Sequence, residues 1–286
     1  MANLKEIRNR IASVSSTMQI TSAMKMVSAA KLKKAQDAIT AMRPYANKLT
    51  ELIQSLSASL DADSGSEFSD ERIVKKVLIV AITSNRGLCG AFNSNVLKEC
   101  TGLMEGSYPN KEVHFMAIGK RGNDLLKKKN SVIANHSKVY DDLTFINVAQ
   151  IAEELMGLFT DGSYDKIVLV YNKFKNAATQ ILMTEQFLPI VSAEADIKAS
   201  TDYIFEPEKQ KIVQELIPKS LKMQLYKAVR DSFASEHGAR MTAMHKATDN
   251  ASELRDQLKL TYNKARQAAI TNEILEIVGG AEALNN

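Results

Sequence analysis

The residues from Asn85 to Asn93 (NRGLCGAFN) are the first candidates for chemistry. They follow an apolar run and precede a helical pattern, and a glycine-rich turn at such a junction is where doubly wound folds hold phosphates. The spacing does not fit that use. Neither GxGxxG nor GxxxxGK[ST] is present, and Ile118–Gly122 (IGKRG) has Gly-Lys without the upstream Gly or the following Ser/Thr. Gly87 and Gly90 then read as the small residues of a tight strand-to-helix turn. Ser84 precedes the turn but sits in no GxSxG elbow. His114, His136, His237 and His245 form no HxxxH or HExxH pair, and Cys89 and Cys100 do not complete a metal set. Carboxylates are plentiful, yet no pair is singled out. The sequence thus offers no catalytic, cofactor or metal site of a known pattern.

The elements around these residues alternate. Val77–Thr83 (VLIVAIT) and Lys166–Tyr171 (KIVLVY) are continuous apolar runs of the kind buried strands have. Val113–Ile118 and Ser131–Ala134 read as further strands, and Gln180–Leu188 as an edge strand. Helices are expected over Asn93–Met104, Arg121–Lys129 and Ile146–Phe159. Strand–helix alternation predicts a doubly wound, Rossmann-like α/β domain over residues 73–207, with a largely parallel sheet. Residues 61–72 (DADSGSEFSDER) are acidic and serine-rich, and read as a linker.

The two ends are different. Alternating steps of three and four from Leu4 pass through Ile7, Ile11, Val14, Met18, Thr21, Lys25, Ser28, Leu32, Ala35, Ile39, Met42, Ala46, Leu49, Ile53, Leu56 and Leu60. Only Thr21, Lys25 and Ser28 break the apolar run. A 3.5-residue repeat held this long predicts a left-handed coiled coil over residues 1–60, roughly 85 Å long if helical throughout. Pro44 is expected to kink it. At the three polar positions the apolar residues move to other faces, as Ile20, Met24, Met26 and Val27. Two readings stand here: a stutter in packing, or a place where the helix meets a third surface. Residues 208–286 form a second long helix, with a seam through Leu221, Leu225, Ala228, Met241, Met244, Ala251, Leu254, Leu258, Ala265, Ala268 and Leu275. Gly238 is a weak point in it, and Gly279-Gly280 is expected to loosen or end it. A chain that returns through an intervening domain pairs these helices antiparallel, as a rod.

Composition narrows the classes. No run of eighteen apolar residues exists, so no spanning helix is expected. Two cysteines without CxxC spacing fit a reducing compartment. MANLKEIRNRI has no apolar signal core and reads as the start of the structure. Residues 1–60 hold nine Lys/Arg against three Asp/Glu, whereas residues 61–207 hold sixteen against twenty and residues 208–286 twelve against ten. The basic excess is either a solvated helix face or a docking face for something acidic. Lys25, Lys31, Lys33 and Lys34 cluster without interleaved aromatics, which speaks against nucleic acid. An enzyme with a dinucleotide-binding domain and helical arms, and a coiled-coil scaffold, remain as competing readings.

Longer stretches carry a resemblance. Ile7–Ala35 (IRNRIASVSSTMQITSAMKMVSAAKLKKA) is similar to the opening helix of the γ subunit of F-type ATP synthases, as is Arg43-Pro44-Tyr45. Ser84–Phe92 (SNRGLCGAF) resembles the family's signature after the first central strand. Ser235–Asn250 (SEHGARMTAMHKATDN) and Leu260–Gly279 (LTYNKARQAAITNEILEIVG) match near the end, so the likeness covers essentially the whole chain in order.

The resemblance implies a non-catalytic rotor. Its helices form a central stalk inside a ring of three α and three β subunits. Its α/β domain forms a foot, with the ε subunit, on the membrane ring of c subunits. Proton flow turns it, and its asymmetry takes each β subunit through open, loose and tight states. It implies contacts with the β subunits at Met24, Lys25, Lys31, Lys33, Lys34, Arg240, Arg266, Gln267 and Thr271. It implies contacts with the c ring and ε at Tyr203, Phe205 and Glu206. No cofactor or metal is implied. The location expected is peripheral, on the cytoplasmic side of a bacterial membrane, since the chain shows neither a transit peptide nor the cysteine-bearing insert of chloroplast forms.

Overall fold

The computed structural model describes residues 4–57, 67–69, 72–190 and 209–284. The expected linker therefore lies largely outside the described residues, as do Tyr203, Phe205 and Glu206. Two compact units divide the chain, Met1–Ser28 with Met241–Asn286, and Ala29–Arg240. Each contains a piece of both long helices, α1 (Leu4–Ser57) and α5 (Lys209–Leu284). The division thus cuts across the blocks that sequence composition marks out.

In the second unit a five-stranded sheet has β1 (Lys76–Ile82) at its centre. β2 (Glu112–Ile118) and β4 (Lys166–Phe174) flank it in parallel, β3 (Val132–Asn135) extends it beyond β2, and β5 (Gln180–Leu188) closes the other edge antiparallel to β4. The expected strands are all present, and β5 is the edge strand as read. Helices α2 (Phe92–Gly102), α3 (Lys120–Leu126) and α4 (Phe145–Thr160) fill the crossovers. Thr144 caps α4, its hydroxyl accepting from the Asn147 amide.

Period-two alternation sorts the core. Val77, Ile79 and Ala81 of β1 face α2 and α3 through Val96, Cys100 and Leu126. Leu78, Val80 and Ile82 face α4 and, in the same cluster, Ile217, Leu221, Leu225, Ala228 and Val229 of α5. The long helix is thus built into the core of the α/β unit rather than tethered to it. Gly238 has a packing reason. A Cβ there would lie 3.1 Å from the Ala177 carbonyl oxygen, so the glycine admits a close backbone approach.

α1 and α5 pack together. In the second unit Ala46 and Leu49 of α1 cluster with Met223 of α5. In the first unit Arg8, Met18 and Thr21 meet Tyr262, Arg255 and Thr248 in turn, rising along α1 while falling along α5, so the pair is antiparallel. The seam on α1 is as read: Ile7, Leu32, Ala35, Ile39, Ala46 and Leu49 are buried.

Three expectations need correction. Thr21 and Ser28 do not interrupt the seam; both are buried in it, because small polar side chains fit a close helix pair. Gly279-Gly280 does not end α5, which runs on to Leu284. The α5 seam does not pass through Leu254, Ala268 or Leu275, all exposed. At Leu254 the neighbouring Arg255 makes the contact with α1 instead, its Nη1 reaching Met18 Sδ at 3.7 Å. Ala268 and Leu275 lie beyond Tyr262, which already stands opposite Arg8 of α1.

Candidate functional site

Two arrangements stand out, one in each unit. In the first, the helix pair leaves apolar side chains uncovered. Ile20, Met26 and Val27 of α1 are more than half exposed, beside half-buried Met24 and Lys25. Apolar residues at this density on a helix flank are unusual for a surface facing only water. On α5 every described side chain from Arg266 to Ala281 is exposed, including Ile270, Ile274, Leu275, Ile277 and Val278. Leu284 lies 22 residues beyond Tyr262, so at 1.5 Å per residue α5 continues roughly 30 Å past that contact. Arg266, Gln267 and Thr271 all lie on this bare segment, with the Thr271 hydroxyl donating to the Gln267 carbonyl at 3.0 Å.

The second arrangement centres on Arg240, which is 6% exposed. Its Nη1 donates to Glu236 Oε1 at 2.6 Å, its Nε to the Gly87 carbonyl at 3.3 Å, and its Nη2 to the carbonyls of Arg86 at 3.0 Å and Gly87 at 3.2 Å. In this chain the guanidinium therefore points into the protein. The resemblance implies a partner contact at Arg240; within this chain its donors go to Glu236 and to the loop between β1 and α2. Lys31, Lys33 and Lys34 are exposed on α1, and Lys31 faces Glu236. Burial raises the Glu236 carboxyl above its usual range, against the pull of Arg240, Lys31 and Arg86.

Glu236 and His237 lie in the Ser235–Asn250 segment that carries the resemblance, but residue spacing assigned neither a partner. His237 is buried with both ring nitrogens unpartnered, and its ring meets Phe233 edge-on at 4.5 Å. Burial, then the charges of Arg240 and Lys31, lower its pKa to about 3.

The glycine-rich loop shows the tight turn expected of it. Leu88 and Gly90 have φ of 61° and 60°, in the left-handed region. The polar groups around it serve to hold it. Ser84 Oγ donates to the Arg86 carbonyl at 2.6 Å and accepts from Asn93 Nδ2 at 2.8 Å, while the Ser84 amide donates to Asn93 Oδ1 at 3.0 Å. Among the described residues Ser84 Oγ meets Asn93, Cys89 and the Arg86 carbonyl, not a histidine or carboxylate that could make it a nucleophile. Among the described residues no group of three His, Cys, Asp or Glu could hold a metal ion. No described helix is long and apolar enough to cross a membrane.

Comparison with known proteins decides what these surfaces belong to. Residues 3–284 match a family model described as ATP synthase. The ATP synthase gamma chain of Flavobacterium psychrophilum is 73% identical over 285 residues, covering 99% of each chain. That of Flavobacterium johnsoniae is 71% identical over the full length of both. This chain belongs to the ATP synthase gamma chain family. The fold agrees. A chain of the Euglena gracilis mitochondrial ATP synthase in rotational state 3 superposes with a TM-score of 0.70 at 22% identity, covering 98% of this chain and 94% of that one. A chain from the Tetrahymena thermophila mitochondrial central stalk and c ring gives 0.58 at 26% identity, covering 80% and 99%. A gamma chain is the central-stalk subunit of the F-type ATP synthase, so helix surfaces left bare in the isolated chain are surfaces of an assembly component.

Proposed function

We propose that this chain is the turning shaft that couples proton flow through a membrane c ring to ATP synthesis and hydrolysis in a ring of three α and three β subunits. The observation that carries the reading is gamma-chain membership over the whole length, joined to a helix whose side chains are exposed from Arg266 to Ala281. A shaft changes its partners only through contacts that differ from face to face, since an equilibrium shifts only by differential contact energy. Exposed Ile270, Ile274 and Leu275 supply non-directional apolar contact that can slide, and exposed lysines supply diffuse attraction to acidic loops.

On this reading Met24, Lys25, Lys31, Lys33 and Lys34 meet the β subunits along α1, and Arg266, Gln267 and Thr271 meet them along α5. Arg240 acts on coupling from inside the chain. Tyr203, Phe205 and Glu206 meet the c ring and ε. The chain carries no catalytic residue of its own and reaches the membrane through the c ring, on its cytoplasmic side. Ile217, Leu221, Leu225, Ala228 and Val229 of α5 lie in the core of the α/β unit, which supports the shaft reading because torque on that unit acts on the helix directly.

Affinity purification of the tagged chain from a mild-detergent membrane extract tests the assembly. Subunits α, β, ε and c are expected to co-elute. Recovery of the chain free of α and β would remove the proposal.

A further inference from the structure

The β1–α2 loop is held with more contacts than a turn requires. The Arg86 carbonyl accepts from both Ser84 Oγ and Arg240 Nη2, and the Gly87 carbonyl accepts from Nε and Nη2 of Arg240. A second guanidinium lies over the same peptide: a Cβ on Gly87 would be 2.9 Å from Arg121 Nη2. Just beyond, Leu88 is held at a φ of 61° with its side chain 64% exposed. A leucine keeps that backbone conformation only where its surroundings over-determine it. Three of the bonds that do so come from Arg240 of α5, 153 residues away in sequence.

We infer that Arg240 is a positioning residue: by holding the Arg86 and Gly87 carbonyls it makes the β1–α2 loop ride on α5 as one rigid piece. Glu236 completes the device. It fixes Nη1 from one turn earlier on the same helix, so the guanidinium plane is aimed before it reaches the loop. Only a guanidinium has enough donors in a fixed plane to serve one carboxylate and two carbonyls together. A lysine keeps the charge and loses the fork. The consequence for coupling rests on the rotor reading; the rigidity itself does not.

The two cysteines make this measurable. Cys89 lies in the loop and Cys100 on the buried face of α2, and neither thiol is in a disulfide. Alkylation of the full-length chain by iodoacetamide over a pH series, resolved by peptide mass spectrometry and compared at the high-pH plateau, reads loop opening at Cys89 against core opening at Cys100. Arg240→Lys is expected to raise the Cys89 rate by about tenfold or more, with Cys100 unchanged, because only the loop gains freedom. Glu236→Gln keeps Arg240 and its carbonyl acceptors, and is expected to raise the Cys89 rate by about two- to threefold at pH values high enough to ionise the thiol fully, where the loss of the Glu236 charge no longer changes the thiolate fraction. Equal rises at Cys89 and Cys100 would show that Arg240 merely supports the fold. No rise at Cys89 in either variant would show that the loop holds without it. Either result overturns the inference. In reconstituted enzyme, Arg240→Lys is also expected to lower protons pumped per ATP hydrolysed. Normal pumping beside a selective Cys89 rise would count against the rotor consequence alone.

Discussion

Thr21 of α1 and Thr248 of α5 place their hydroxyl oxygens 2.8 Å apart across the helix pair, 227 residues apart in sequence. The contact replaces the apolar pair that a 3.5-residue repeat leads one to expect. Each hydroxyl also has a carbonyl on its own helix, Met18 for Thr21 at 3.1 Å and Met244 for Thr248 at 2.8 Å. Neither is orphaned if the pair is broken. Thr21→Val, close in shape, is therefore expected to change stability by no more than about 1 kcal/mol. Thr21→Lys, which forces a charge into a buried position, is expected to cost about 2 kcal/mol or more. Thermal unfolding of the two variants separates them; equal loss would mean that the hydroxyl pair, not the space, is what matters.

The glycines divide by conformation. Gly279 and Gly280 meet nothing within 4 Å at the position of a Cβ, and both lie inside α5. Replacing each with Ala should stabilise the helix end by about 1 kcal/mol, since glycine is that much poorer a helix former. Gly119 is the opposite case, with φ at 121° and a Cβ position 2.2 Å from the Thr83 carbonyl oxygen. Gly119→Ala is expected to cost about 3 kcal/mol or more. Hydrogen exchange over residues 270–284 reads the first effect and urea unfolding the second.

His237 ties stability to pH. The folded chain protonates it only near about 3, whereas the unfolded chain does so near the ordinary value of about 6.5. Between those values the unfolded state binds more protons, so stability falls as pH falls from about 6.5 towards 3, and the effect is absent above that window. Both ring nitrogens lack partners, so His237→Phe gives up no hydrogen bond and keeps the packing against Phe233. That variant should unfold less steeply with acid across the same window. An unchanged acid limb would mean that other groups dominate it.

Exposed and buried positions on α1 should part company. Met24→Lys changes a half-buried side chain beside exposed Ile20 and Met26, and is expected to leave the melting temperature nearly unchanged. Coupling should nevertheless fall, because a new charge can bond an acidic partner loop that must let go on each turn. Ile39→Asp puts an unpaired carboxylate at a seam position 3% exposed, and is expected to cost about 3 kcal/mol or more. Proton pumping per ATP hydrolysed, measured beside melting temperature, distinguishes lost coupling from lost fold.

Much of this was legible in the sequence. Strands showed as apolar runs because both faces of the sheet are covered, as in β1 with α2 and α3 on one side and α4 and α5 on the other. The α1 repeat showed because its seam positions from Ile7 to Leu49 include many buried ones, among them Leu32, Ala35 and Ile39. The features that escaped had no local signature. The 3.5-residue count registers apolar side chains, so buried Thr21 and Ser28 looked like a gap when they are the small residues of a tight pair. Gly238 looked like a weakness because the Ala177 backbone it admits is distant in sequence. Arg240 resembled a surface contact because its motif matched. Its turn inward depends on carbonyl groups, which every residue has and no sequence pattern reports. The bare end of α5 is likewise a relation between two elements, legible only once Tyr262 is seen opposite Arg8.

The central claim is that this chain works by turning within partners and performs no chemistry itself. The most direct measurement combines purified chain with subunits α, β and ε and adds the complex to membrane vesicles stripped of their catalytic sectors. The account predicts no ATP hydrolysis by the chain alone, and ATP-driven proton pumping that appears only when the chain is present. Saturable ATP hydrolysis by the chain by itself, or full pumping without it, would contradict the account.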